Sequence, residues 1–159
     1  MKLCLLLILL SSCSFFIGGK EAPKTAKGSL YSISFSLPYW VFKKDKRSDY
    51  VFENSKDGRI LLSNSFCEEF QEESLERLAL KTFNTVKDFK AKKSAYTTFQ
   101  NREAYLVEGS GLVDGVKVGL RILNTRRDNC YFDFLAIDPE KSNNNDDAFN
   151  TFLSTVVFR

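Results

Sequence analysis

No histidine occurs among the 159 residues of this chain. That absence removes the Ser-His-Asp and Cys-His nucleophile systems, the HExxH metal sites and most imidazole acid–base chemistry. A membrane-spanning run is missing as well. The apolar stretch at residues 3–10 is far shorter than the roughly 20 residues a helix needs to cross a bilayer. Charge of one sign is not concentrated either. The formal net charge is +3, and the basic residues are scattered rather than striped, which argues against nucleic acid as a partner. No internal repeat and no low-complexity tract is visible. Carboxylates such as Glu68 and Glu69 leave a hydrolase conceivable, yet no catalytic motif is formed, and the expectation is a protein that is not an enzyme.

What is present begins at the N-terminus. Met1-Lys2 supplies a basic start, residues 3–10 a short apolar core, and Ser11-Ser12 small residues ahead of Cys13. These features describe an export signal, not an element of the fold. Leu10-Ser11-Ser12-Cys13 resembles the lipobox of bacterial lipoproteins. The resemblance implies cleavage before Cys13 and lipidation of its thiol, which makes Cys13 the membrane anchor. An ordinary secretory signal with an incidental Cys13 is the alternative. Residues 1–12 are then the signal peptide and residues 13–28, with Gly18-Gly19, Pro23 and several lysines, a flexible tether. Ser14 resembles the outer-membrane sorting class rather than the Asp-retained inner-membrane class. The expected location is the bacterial cell envelope, lipid-anchored and facing the periplasm, in the outer membrane.

Residues 29–159 remain for a single globular domain, and 43% hydrophobic with 27% charged residues is an ordinary balance for one. With Cys4 in the leader and Cys13 lipidated, too few cysteines remain for a zinc site. No metal and no other cofactor is expected. Cys67 and Cys130 would meet an oxidising compartment and are candidates for one intramolecular disulfide. Two buried thiols that never meet are the alternative.

Residues 31–37 alternate apolar side chains with serine, which predicts a strand with one apolar face, closed by Pro38 and Trp40. Lys43-Lys44-Asp45-Lys46-Arg47 is a charged turn, either a headgroup or partner patch or a solvated loop. Residues 50–53 and 59–66 read as strands joined at Asp57-Gly58. Glu68, Glu69, Glu72 and Glu73 precede a helix, whose dipole favours negative charge there. Their spacing matches no EF-hand calcium loop. Ser74 is the expected N-cap. Apolar residues from Leu75 through Phe83 and Val86 to Phe89 then predict an amphipathic helix of about four turns.

Four strands in a meander follow, turning at Asn101-Arg102, Asp114-Gly115 and residues 126–129. The last, residues 130–137, is apolar on both faces and requires cover on both sides of its sheet. The polar stretch at residues 142–147 leads into a second helix with Phe149, Phe152, Leu153 and Val156 as its stripe.

This order of elements is α+β, an antiparallel sheet of about six or seven strands sandwiched between helices. Three stretches resemble the PsbP-like fold: residues 33–40 (Ile-Ser-Phe-Ser-Leu-Pro-Tyr-Trp), Ser74-Leu75-Glu76, and residues 104–109 (Ala-Tyr-Leu-Val-Glu-Gly). A final helix ending near Phe158 completes the pattern. That group includes extrinsic subunits of photosystem II, a Ran-binding import factor and bacterial envelope lipoproteins. No photosystem- or Ran-binding site is matched here. The resemblance implies a non-catalytic binding domain with an antiparallel sheet between helices. With no catalytic set visible and a tether holding the domain close to the membrane, the expectation is a module that binds or helps assemble another envelope component, an envelope protein as its partner. A carrier of a small apolar ligand or lipid is the alternative. Lys43, Lys44, Arg126 and Arg127, all in turns on this reading, are the candidate partner-binding residues.

Overall fold

The computed structural model describes residues 30–67, 73–140 and 147–159. The lipobox, Cys13 and the tether lie outside these residues, as do Glu68, Glu69, Glu72 and residues 142–146.

Among the described residues, seven strands form the main sheet, all antiparallel to their neighbours. They are β2 (Trp40–Lys43), β3 (Tyr50–Asn54), β4 (Ile60–Cys67), β5 (Lys87–Phe99), β6 (Arg102–Val113), β7 (Val116–Arg127) and β8 (Cys130–Pro139). Their order is β2-β3-β4-β8-β7-β6-β5, with β2 and β5 at the two edges. The meander forms because its turns have the backbone that two-residue hairpins need. Gln100 and Asn101 have φ of 49° and 62°, and Asp114 and Gly115 have 49° and 79°. Positive φ at both central positions matches the twist of the flanking strands.

β8 is buried on both faces, as its pattern requires. Phe132, Phe134 and Ala136 belong to one core layer, and Tyr131 and Leu135 to the other. Helix α1 (Leu75–Phe83) covers the second layer with Leu75, Leu78, Ala79 and Phe83. Ser74 caps it, its Oγ accepting from the Arg77 amide at 3.2 Å.

The opposite face departs from the expectation of a sheet between helices. Its cover is a two-stranded ribbon, β1 (Tyr31–Ile33) paired with β9 (Val156–Phe158), together with the short helix α2 (Ala148–Ser154). Phe35, Phe149, Phe152 and Val156 pack from this side. The expected apolar alternation of residues 31–37 is present, with Tyr31 and Phe35 buried and Ser34 and Ser36 exposed, but the ladder stops at Ile33. Val156 and Phe158 therefore lie in a strand, not in the closing helix. β-branched Val156-Val157 after Thr155 favours extension over a further helical turn.

The first helix is also shorter than its apolar spacing suggests. It ends at Phe83, and Val86, just before β5, and Phe89, within it, reach the same core. Thr85 and Val86 are poor helix formers, and Asp88 takes φ of 54°. Two register shifts let residues 87–93 bulge over β6, where glycine makes room. A Cβ on Gly109 would lie 2.6 Å from the Lys90 carbonyl oxygen and the Phe89 ring, and one on Gly111 would clash with Val86. The Phe89 ring stacks on Phe83 at 4.2 Å.

Candidate functional site

Strand β2 and the turn after it gather exposed apolar and cationic side chains at one edge of the main sheet. Tyr39 is 62% exposed and Phe42 53%, and Val41 is exposed beside them. Lys43, Lys44, Lys46 and Arg47 are exposed too. A short edge strand rimmed by lysines is partly guarded against random pairing. Large apolar groups at such an edge are nevertheless costly to leave in water.

Neighbouring strands hold this rim. Phe42 lies against Phe52 and Tyr50, with ring centroids 5.6 and 6.4 Å away. Lys43 points to the other face and meets Glu53 at 3.5 Å. Asp45 shapes the turn, its Oδ1 accepting from the amides of Arg47 at 2.6 Å and Ser48 at 3.2 Å. Tyr39 has φ of 69°, and its carbonyl accepts from the Ser55 amide at 2.8 Å. The Lys56 ammonium lies 5.5 Å from its ring centroid. Tyr31, near the start of the described chain, packs on Tyr50 at 5.3 Å. The rim therefore lies beside the point where the chain enters the domain.

The four cationic residues singled out from the sequence do not form one patch. Lys43 and Lys44 belong to the β2 rim. Arg126 and Arg127 sit in β7, four strand spacings away, or about 19 Å across the sheet. These two are consecutive in a strand and so face opposite sides. Arg126 is half-buried under α1 and donates to the Glu73 carbonyl. Arg127 meets Asp128 at 3.4 Å and lies over the Phe158 ring at 5.7 Å. Glu73 receives Lys81 at 2.5 Å, an ion pair that links the residue before the N-cap to the last turn of the helix.

Cys67 and Cys130 oppose each other directly in the β4–β8 ladder and are joined as a disulfide, with Cα atoms 4.0 Å apart. The bond fixes the end of the sheet from which the chain leaves for α1.

A buried polar cluster under α1 escaped the sequence reading. Asp133 and Asn124 are cross-strand neighbours on that face, 6% and 0% exposed. Asn124 donates to the Tyr131 hydroxyl, which hydrogen-bonds the Asp133 carboxyl. Asp133 Oδ1 and Asn124 Oδ1 are buried without a partner. Burial pushes the Asp133 carboxyl up to about 7, with the Tyr131 hydrogen bond opposing the shift. Burial likewise raises the Tyr131 phenol, and the nearby Asp133 charge adds to it. The available signal was an acid set between Phe132 and Phe134 in a strand otherwise apolar on both faces. On the other face, Tyr31 donates to Asp49 at 3.0 Å and shares a 2.7 Å hydrogen bond with Ser63. Burial, with Asp49 close by, raises that phenol too.

Among the described residues, no group of three His, Cys, Asp or Glu side chains is arranged to hold a metal ion. No described helix is long and apolar enough to cross a membrane.

Solved structures share this α+β fold, a cyanobacterial PsbP among them. LpqN of Mycobacterium tuberculosis, described as involved in cell envelope biogenesis, superposes with a TM-score of 0.61 at 9% identity. The match covers 80% of this chain and 82% of LpqN. CyanoP, the cyanobacterial PsbP of Synechocystis sp. PCC 6803, gives 0.56 at 10% identity over 89% of this chain and 98% of its own. A protein of Bacteroides thetaiotaomicron VPI-5482 gives 0.59 at 12% identity over 84% of this chain. There the chain spans about half, 47%, of the matched structure. No protein-family model and no curated protein matches the chain. At these identities the likeness is one of fold, which does not by itself carry function.

Proposed function

We propose that this chain is a lipid-anchored, non-catalytic module of the bacterial cell envelope that binds or helps assemble another envelope protein. The observation that carries this reading is the β2 rim, where Tyr39, Val41 and Phe42 stand exposed among Lys43, Lys44, Lys46 and Arg47. Exposed aromatic groups bounded by a polar, solvated rim match the anatomy of a protein-binding surface. The lipobox at residues 10–13 supplies the anchor and Ser14 the outer-membrane preference. The tether would keep the rim near the membrane, since the chain enters the domain beside it. The fold shared with LpqN, itself described as involved in cell envelope biogenesis, is consistent with such a role.

Crosslinking in intact cells, followed by purification of the lipidated chain and mass spectrometry, tests the reading. One dominant envelope protein should be captured, and it should be lost when Lys43→Glu and Lys44→Glu are combined with Phe42→Ser. Recovery of lipids alone, unchanged by these substitutions, overturns it in favour of a ligand carrier.

A further inference from the structure

The opposite edge of the main sheet is built differently. β5 is the outermost strand there and runs for 13 residues. Its first half carries the usual defences of an edge. Lys87, Lys90, Lys92 and Lys93 are charged, Asp88 takes a positive φ, and two register shifts disturb the ladder. Its second half has none of these. Residues 94–99, Ser-Ala-Tyr-Thr-Thr-Phe, are uncharged and pair with β6 without a shift. Residues 94–98 are all exposed, and Tyr96 is 52% exposed. The strand is therefore open along its edge and on both faces.

Hairpin geometry decides which backbone groups are free to pair. Phe99 and Arg102 close a two-residue loop, so their amides and carbonyls face each other. Hydrogen-bonded positions then alternate along the strand, and Phe99, Thr97 and Ala95 point their backbone groups at β6. Thr98, Tyr96 and Ser94 point theirs away from the sheet.

We infer that this edge pairs with the same edge of a second copy of the chain, antiparallel and centred on Tyr96. That register uses all three outward residues, setting Ser94 opposite Thr98 and Tyr96 opposite Tyr96 of the other copy. Ala95 then faces Thr97, and Lys93 faces Phe99. No like charges are opposed, whereas parallel pairing would align the four lysines of each copy. Thr, Ser and aromatic pairs at directly opposed positions stabilise such a ladder, and about six backbone hydrogen bonds would cross it. A two-fold axis gives each copy the same environment and closes the assembly at two chains. The β2 rim is at the far edge and remains open, so this pairing does not depend on the function proposed above.

Cysteine crosslinking of the full chain in its host membrane tests the inference. Tyr96→Cys places the new thiols across the axis, where directly opposed Cα atoms sit about 5.5 Å apart. Oxidation should give a reductant-sensitive species of twice the chain's mass. Ser94→Cys should crosslink poorly alone and well when co-expressed with Thr98→Cys. Asp114→Cys, at a distant hairpin tip, controls for collision. Sedimentation of the detergent-purified chain should show a dimer that Tyr96→Pro dissociates at least tenfold, since that amide faces away from β6. Ser94→Lys with Thr98→Lys, which opposes like charges without touching the β5–β6 ladder, should do the same if the proline variant fails to fold. A monomeric parent chain overturns the inference. So does crosslinking equal at Asp114, or a Tyr96 adduct to a different protein.

Discussion

Asp133 keeps its proton into the neutral range because the fold removes it from water, and the Tyr131 hydrogen bond offsets only part of that cost. The sign of its effect on stability follows. Its folded value, about 7, lies above its ordinary 3.8. Below the ordinary value both states are protonated, and burial of the acid carries no ionisation penalty. As pH rises through 7 that advantage is lost, because the unfolded chain ionises freely while the folded one resists. Asp133→Asn should therefore stabilise the protein by roughly 2–4 kcal/mol at pH 8 and by little at pH 4. Urea unfolding across that range reads the difference, and an unchanged pH slope in the variant would sink the account. The disulfide is the second residue-scale determinant. Replacing Cys67 and Cys130 by serine should cost about 4 kcal/mol, the chain-entropy value for a loop this long, measurable as a lower urea midpoint. Arg126 illustrates a limit of reading charge from sequence. It stands in an apparent turn, but its side chain is spent on the Glu73 carbonyl.

Among the elements, the α1–β5 passage depends most on the size of single side chains. Gly111→Val should destabilise the domain by roughly 1–3 kcal/mol, because Val86 and the Lys87 carbonyl occupy the space. Phe83→Ala should cost about 3–4 kcal/mol by emptying the stack with Phe89 and the contact with the sheet. Thermal melts of both variants check these values. The same passage shows where sequence periodicity stops being informative. Val86 and Phe89 continue a helical spacing, yet they reach the core from a bulged strand, and only the glycines across the sheet reveal it. The hairpins were legible because Asp114-Gly115 and Asp57-Gly58 are local turn chemistry. The double burial of β8 was legible because both faces are apolar. The β1–β9 ribbon was not, since its partners are far apart in sequence and three residues are too few to show a period. Of the candidate site, residues 43–47 were visible as charge, but Tyr39, Val41 and Phe42 became a surface only once β2 took the edge.

For the molecule as a whole, the two edges of the main sheet have opposite characters. The β2 edge is short, aromatic and cationic, and the distal half of β5 is long, regular and uncharged. Reversing charge at Lys44 and Lys46, both exposed, should change unfolding free energy by less than about 0.5 kcal/mol while weakening partner capture, a separation that chemical denaturation and crosslinking can test on one protein. On the lipid anchoring proposed above, Cys13→Ser should move the protein from the membrane fraction to the soluble one. Retention in the membrane would point to an anchor other than the lipid.

The ribbon also bears on timing. Tyr31 pairs with Phe158, and Arg159 donates to the Leu30 carbonyl at 3.0 Å, so β1 waits for a partner that is made or exported after nearly everything else in the domain. A chain threaded through a membrane N-terminus first would complete its meander early and leave the backbone of β1 without its ladder partner until residues 156–158 emerged. Contacts this distant along the chain form late and slowly. The interval between translocation and closure would be the time in which a holding chaperone has most to offer this protein.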